Sequence, residues 1–178
     1  DVYYSKNGSI GAKILLKRLD STTLFHLDDY NNTTFKNSIE TFRAKLPSWA
    51  QKRNNFAYAE VHIDGVTKNQ YFAHSAINEE IASVAGTGIS LEPKNSIFET
   101  FHVNPKNIIN GEKAYARSKD TENKILSEIA QNITNKSTSG EIVVYTDLKP
   151  CISCDNVFAS FSEMFPNIKI TILYVEEY

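Results

Sequence analysis

The C-terminal third of the chain switches back and forth between two hydrophobic periodicities, and this alternation restricts the fold more than any other feature. Residues 120–133 place Ile125, Leu126, Ile129 and Ile133 on one helical face. After a polar break at 135–140, residues 141–146 form a short apolar run of Ile142, Val143, Val144 and Tyr145, which reads as a strand. Residues 151–165 return to helix with Val157, Phe158, Phe161, Met164 and Phe165 inward. Pro166-Asn167 turns the chain, and 169–175 is a last strand. Upstream, 56–63 alternates as a strand, Asp64-Gly65 supplies a turn, and 70–74 extends again as the second arm of a hairpin. The core order β-β-α-β-α-β is an α/β pattern, which needs a sheet covered by helices.

The remainder is less regular. Ile14, Leu15, Leu16 and Leu19 make one apolar-periodic piece, and Phe35, Ile39, Phe42 and Leu46 make a second at helical spacing, stopped by Pro47. Residues 1–53 therefore read as a helical lead-in packed on a core over 54–178, in one compact domain. Residues 78–119 are broken by Gly86, Gly88, Pro93, Pro105 and Gly111. So long an irregular stretch is either functional or conceals short strands, with 98–103 one candidate.

Composition removes several classes. With 178 residues, 41% hydrophobic and 22% charged, the chain suits one globular domain. No run approaches the ~18 apolar residues of a membrane-spanning helix. Two cysteines are too few for a disulfide scaffold. Nineteen basic against 21 acidic residues, a net charge of −2, argue against a strongly basic nucleic-acid binder and leave room for a local basic patch. The opening Asp1-Val2-Tyr3 has neither Met nor the pattern of a signal peptide, as expected of a processed product or a piece of a longer chain.

Pro150-Cys151-Ile152-Ser153-Cys154 sits where a strand gives way to a helix. Two thiols at this spacing can chelate an ion, and a helix N-terminus favours their thiolate form. The pair has three readings: a redox couple, two cysteines buried as small apolar residues, or half of a zinc site. A thioredoxin-type couple should have much sheet after it, and only one helix and one strand remain. Zinc needs further ligands. Asp120-Thr121-Glu122, at the start of the preceding helix, offers them, although an acidic first turn is also ordinary helix capping. Zinc deaminases carry His-x-Glu at one helix start and Pro-Cys-x-x-Cys at the next. Three ligands leave one position for a water made acidic by the ion, and a carboxylate two residues from the first ligand can move that water's proton.

The chain resembles the deaminase-fold toxin domains found at the C-termini of bacterial polymorphic toxins. The resemblance is carried by Asn55-Phe56-Ala57-Tyr58-Ala59-Glu60-Val61, Phe72-Ala73-His74-Ser75, Asp120-Thr121-Glu122-Asn123-Lys124-Ile125-Leu126 and Tyr145-Thr146-Asp147-Leu148-Lys149-Pro150-Cys151-Ile152-Ser153-Cys154. It implies a cytidine deaminase-like three-layer α/β/α fold with a mixed sheet. It also implies zinc held by Asp120, Cys151 and Cys154, with Glu122 as proton shuttle and zinc-bound water as nucleophile. The implied reaction is hydrolytic conversion of cytosine to uracil in DNA or RNA, with single strands favoured because duplex targets need the base flipped out. The setting it implies is a secreted toxin delivered into a target cell, acting in the target cytoplasm, and restrained by a cognate immunity protein. Open alternatives are a degenerate binding module with a structural zinc, and a deaminase of free nucleosides or of a protein amide.

Two departures stand out. Asp120 occupies the position where most zinc deaminases have His, so the site carries about one extra negative charge, which should make a bound water less acidic. Family members also often continue into a fifth strand beyond the point where this chain stops at Tyr178; the piece around 14–19 is a candidate for that sheet edge. For substrate contact, His74 and Ser75 at the hairpin's end, Pro150, Arg117 and Lys119 are the candidates. Lys94, Lys106, Lys113 and Tyr115 lie in the same basic, aromatic-bearing segment, against Glu99 and Glu112. His102 is a less favoured substitute ligand, and His26 and His62 read as structural or exposed.

Overall fold

The structure, a computed structural model, describes residues 2–177; Asp1 and Tyr178, which mark the start and stop used above, lie outside the described residues. Among the described residues, five α-helices, α1 (Val2–Ser5), α2 (Gly8–Ser21), α3 (Thr33–Arg43), α4 (Thr121–Asn132) and α5 (Ile152–Met164), accompany seven strands. The strands are β1 (Thr22–His26), β2 (Phe56–Ile63), β3 (Gln70–His74), β4 (His102–Val103), β5 (Tyr115–Ala116), β6 (Gly140–Leu148) and β7 (Ile168–Glu176). Five strands form one mixed sheet in the order β1-β7-β6-β2-β3. The β2–β3 and β2–β6 pairs are antiparallel, and β6–β7 and β1–β7 are parallel. No helix among the described residues is long and apolar enough to cross a membrane.

Strand alternation builds the layers. On β2, Ala57, Ala59, Val61 and Ile63 face a core shared with Ile125, Leu126 and Ile129 of α4 and Val157, Phe158 and Phe161 of α5. The intervening Phe56 and Tyr58 face the opposite side, where Phe35, Ile39 and Phe42 of α3 and Leu46 complete a second core. The result is the expected three-layer α/β/α arrangement. Burying each α3 side chain contributes about 1.5–3 kcal/mol, which explains why an otherwise polar helix docks. Its N-terminus is fixed by Asn32, whose side chain accepts the Phe35 N–H at 2.9 Å. At the β2–β3 turn Gly65 adopts φ +84°, a conformation that glycine alone takes without strain.

One local expectation changes. The segment 14–19 is helical, within α2, and the fifth strand comes from the next residues, Thr22–His26, beside β7. Gly11, Ile14 and Arg18 are the buried side of α2, and Arg18 Nε lies 2.9 Å from Asp155 Oδ1 of α5. The approach of these two buried groups is an ion pair without a well-directed hydrogen bond from Nε. The irregular 78–119 stretch does conceal strands, the small β4–β5 pair. It also braces α5 from outside: Asn107 Oδ1 accepts the Ile152 N–H at 2.8 Å, and Ser153 Oγ accepts the Phe101 N–H at 2.9 Å. These bonds satisfy polar groups at a buried helix start, a role that no local sequence pattern announces.

Candidate metal centre and catalytic cavity

α4 and α5 start side by side beneath a cavity of about 860 Å³. Asp120 and Cys151 are the N-cap residues of the two helices, and neither side chain makes a capping hydrogen bond. Asp120 Oδ2 instead lies 3.5 Å from Cys151 Sγ and 3.3 Å from Cys154 Sγ. The three ligand atoms all fall within 4.8 Å of one another, and both cysteines are free and buried. This favours the ligand reading of Asp120 over the capping one, because a cap would turn its oxygen toward its own helix.

The donor set fits zinc. Typical Zn–S and Zn–O lengths at a tetrahedral angle put sulfur and oxygen about 3.6 Å apart. The observed contacts of 3.5 and 3.3 Å match that spacing. Helix position was expected to favour thiolate, but the neighbouring Cys151 and then burial push the Cys154 thiol well above its ordinary range. The helix dipole is outweighed, and a divalent cation held at this site would reverse the balance.

Glu122, in the first turn of α4, is buried and lines the same cavity. Its Oε2 accepts the Thr121 hydroxyl at 2.8 Å. Its Oε1 is 3.3 Å from Thr146 Oγ1, whose single proton also has the Leu148 carbonyl at 3.0 Å and Asn55 Oδ1 at 3.3 Å as acceptors. Asn55 Nδ2 donates to both threonine hydroxyls at 2.9 Å, and its Oδ1 accepts the Leu148 N–H at 3.0 Å. Burial, and then the negative charge of Asp120, push the Glu122 carboxyl up to about 7. A carboxyl poised there can both take and return a proton near neutral pH.

The candidate contact residues separate into two groups. Ser75 and Lys119 line the cavity; the Ser75 hydroxyl already accepts the Asn55 N–H at 3.0 Å. Arg117 lines it too, but is buried rather than extended into solvent. Pro150 is buried and not among the lining residues. His74 does not face the cavity, contrary to expectation. Strand alternation sends it to the α3 side of the sheet with Phe72, whereas α4 packs on the Ala73 side. Its Nε2 sits 3.0 Å from the Ala50 carbonyl and 2.7 Å from that of Arg53, and its Nδ1 accepts the Ala76 N–H. His102 is exposed on β4 and outside the ligand group.

Comparison with family models matches residues 39–176 to the toxin-deaminase family, described as the BURPS668_1122 family of deaminases. The chain belongs to the toxin-deaminase family. No match was found among curated proteins or among solved structures. The matched span of this toxin-deaminase holds every residue of the Asp120, Glu122, Cys151 and Cys154 constellation, while α2 and β1 lie before it.

Some of the cavity wall was not anticipated. Asn55 belongs to a motif that implies no role for it. Arg43, Lys52, Tyr145 and Asp147, which the sequence marks for no site role, also line the cavity. The usable signal was positional: Asn55 immediately precedes β2 and Asp147 lies near the end of β6, at the sheet end from which the Cys151 turn also leaves.

Proposed function

We propose that this toxin-deaminase is a zinc-dependent hydrolytic deaminase of a nucleobase, converting cytosine to uracil in a polynucleotide. The observation that carries the reading is the convergence of Asp120, Cys151 and Cys154 beside Glu122, in one cavity, without capping bonds. The Asp120 carboxylate and the Cys151 and Cys154 sulfurs would hold the zinc, which would supply Lewis acidity toward water near neutral pH.

The chain's own residues account for the proton movements. Glu122 Oε1 and Oε2 are the atoms that take a proton from the attacking water and return it to the ring nitrogen and departing amine. Thr121 holds Oε2, and Asn55 orients that hydroxyl by donating to its oxygen. The carboxyl therefore keeps one rotamer while its protonation changes. A polynucleotide substrate is supported by the cavity lining, which includes Lys52, Lys119, Lys149 and the exposed Tyr115. Cations track phosphates, and an aromatic ring accepts a stacked base. Single strands are favoured, since the cavity must receive an unstacked base. Delivery into a target cell as part of a larger secreted toxin, action in its cytoplasm, and restraint by a cognate immunity protein follow from the same reading.

Incubating the protein with single-stranded DNA, RNA and free cytidine, and reading uracil formation by mass, tests the proposal. Turnover of a polynucleotide that Glu122→Gln abolishes is expected. An inert protein that still binds zinc would instead favour the degenerate binding module.

A further inference from the structure

We propose that Arg117 is a positioning residue of the metal site: its buried guanidinium holds Asp120 from behind and supplies the positive charge that allows a carboxylate to serve where a neutral imidazole would otherwise stand. This rests on Asp120, Cys151 and Cys154 being the ligand set.

The carboxylate has two faces. Oδ2 points to the sulfurs, and Oδ1 lies 3.6 Å from Arg117 Nη1. The rest of the guanidinium is held on its other edge. Nε donates to the Val103 carbonyl at 3.3 Å and Nη2 to the Asn104 carbonyl at 3.4 Å. The Tyr115 ring lies under its central carbon at 4.1 Å. Only 7% of Arg117 is exposed, so the group is built into the wall rather than free to follow a phosphate, the task its sequence position suggested. The β4–β5 pair and its loop thus gain a purpose, since they provide both carbonyls and the aromatic ring.

Charge arithmetic gives the arrangement its sense. Two thiolates and a carboxylate around a divalent cation sum to about −1, and the guanidinium returns the cluster to about zero. Ligating carboxylates are usually oriented by a partner behind them, and at 3.6 Å Arg117 fills that place as an ion pair. A His ligand is already neutral and has no anionic second oxygen to restrain, so it would have no use for Arg117.

The test is zinc affinity of the whole chain, by competition with a chromophoric chelator, in the native protein, Arg117→Met, Asp120→His and the double variant. Arg117→Met should weaken zinc binding by about ten- to hundredfold when Asp120 is present and by less than about threefold in the Asp120→His background. Equal losses in both backgrounds would reduce Arg117 to a structural brace, and no loss in either would remove it from the site; both overturn the proposal. Absence of zinc from the native protein is a separate result that overturns the ligand assignment itself. Should Arg117→Met fail to fold, Arg117→Gln loses the charge while keeping a donor for the Val103 carbonyl, and carries the same comparison.

Discussion

Two aspartates line the cavity, each beside an arginine, and they differ in what their oxygens meet. Asp147 is closed. Its Oδ1 accepts from Arg43 Nη2 at 2.7 Å and the Tyr145 hydroxyl at 2.5 Å, and its Oδ2 from Arg43 Nη1 at 3.0 Å and the Phe56 N–H at 3.2 Å. Asp120 is open. Its Oδ1 has one guanidinium at a longer 3.6 Å, and its Oδ2 has, among the described residues, only two thiols, which are weak donors and proposed ligands. A structural carboxylate is one whose lone pairs are all claimed by good donors. A carboxylate turned toward other electron-rich groups is arranged for a cation that all of them share.

The largest effect expected from this contrast is that of Cys151→Ser, which should lose both bound zinc and turnover; retention of zinc would mean that the open cluster is not the site. Glu122→Gln should keep the fold and the zinc while kcat falls by about 10²- to 10⁴-fold. Zinc loss in that variant would make Glu122 a ligand rather than a proton carrier. Asp147→Asn should do the reverse, lowering unfolding stability by about 1–3 kcal/mol as the charge facing Arg43 and one of the two accepting oxygens are lost, with zinc content unchanged. Zinc loss there would erase the distinction between the two aspartates.

The smallest effect is a pH slope from a second closed group. Lys124 is buried, donates to the His74 and Ile77 carbonyls, and is held down to about 8 by burial. Its ordinary value is 10.5, so between these limits the unfolded chain binds more protons than the folded one and stability rises with pH. Tyr58, pushed up to about 12 from 10 by burial, acts oppositely above pH 10. The Cys154 thiol, held above its ordinary value of 9, opposes Lys124 within this window, so the Lys124 contribution is read as a difference: the unfolding free energy in urea of the native protein minus that of Lys124→Met should rise between pH 8 and about 10.

Much of this was legible in the sequence because it rests on short-range rules. The α4, α5, β2, β3, β6 and β7 elements follow from apolar period and punctuation, and Pro47, Asp64-Gly65 and Pro166-Asn167 mark breaks where the chain does turn. What escaped depends on distant partners. β1 is a five-residue edge strand whose neighbour β7 begins at Ile168, so nothing local distinguishes it from a loop. His74 has a suggestive position, but strand parity assigns its face, and only the packing of α3 and α4 reveals which face is which. Arg117 shared a basic segment with Lys113 and Lys119, and no sequence property tells a buried guanidinium from an exposed one. Its distinguishing partners, the Val103 and Asn104 carbonyls, lie across the β4–β5 pair.

The central claim is that two helix starts present one cation site. Anomalous scattering recorded at the zinc absorption edge from crystals of freshly purified protein tests it most directly. A peak within bonding distance of Asp120 Oδ2, Cys151 Sγ and Cys154 Sγ, with Glu122 nearby but unbonded, is the expected result. A disulfide joining Cys151 to Cys154, or a zinc peak elsewhere in the molecule, would contradict it.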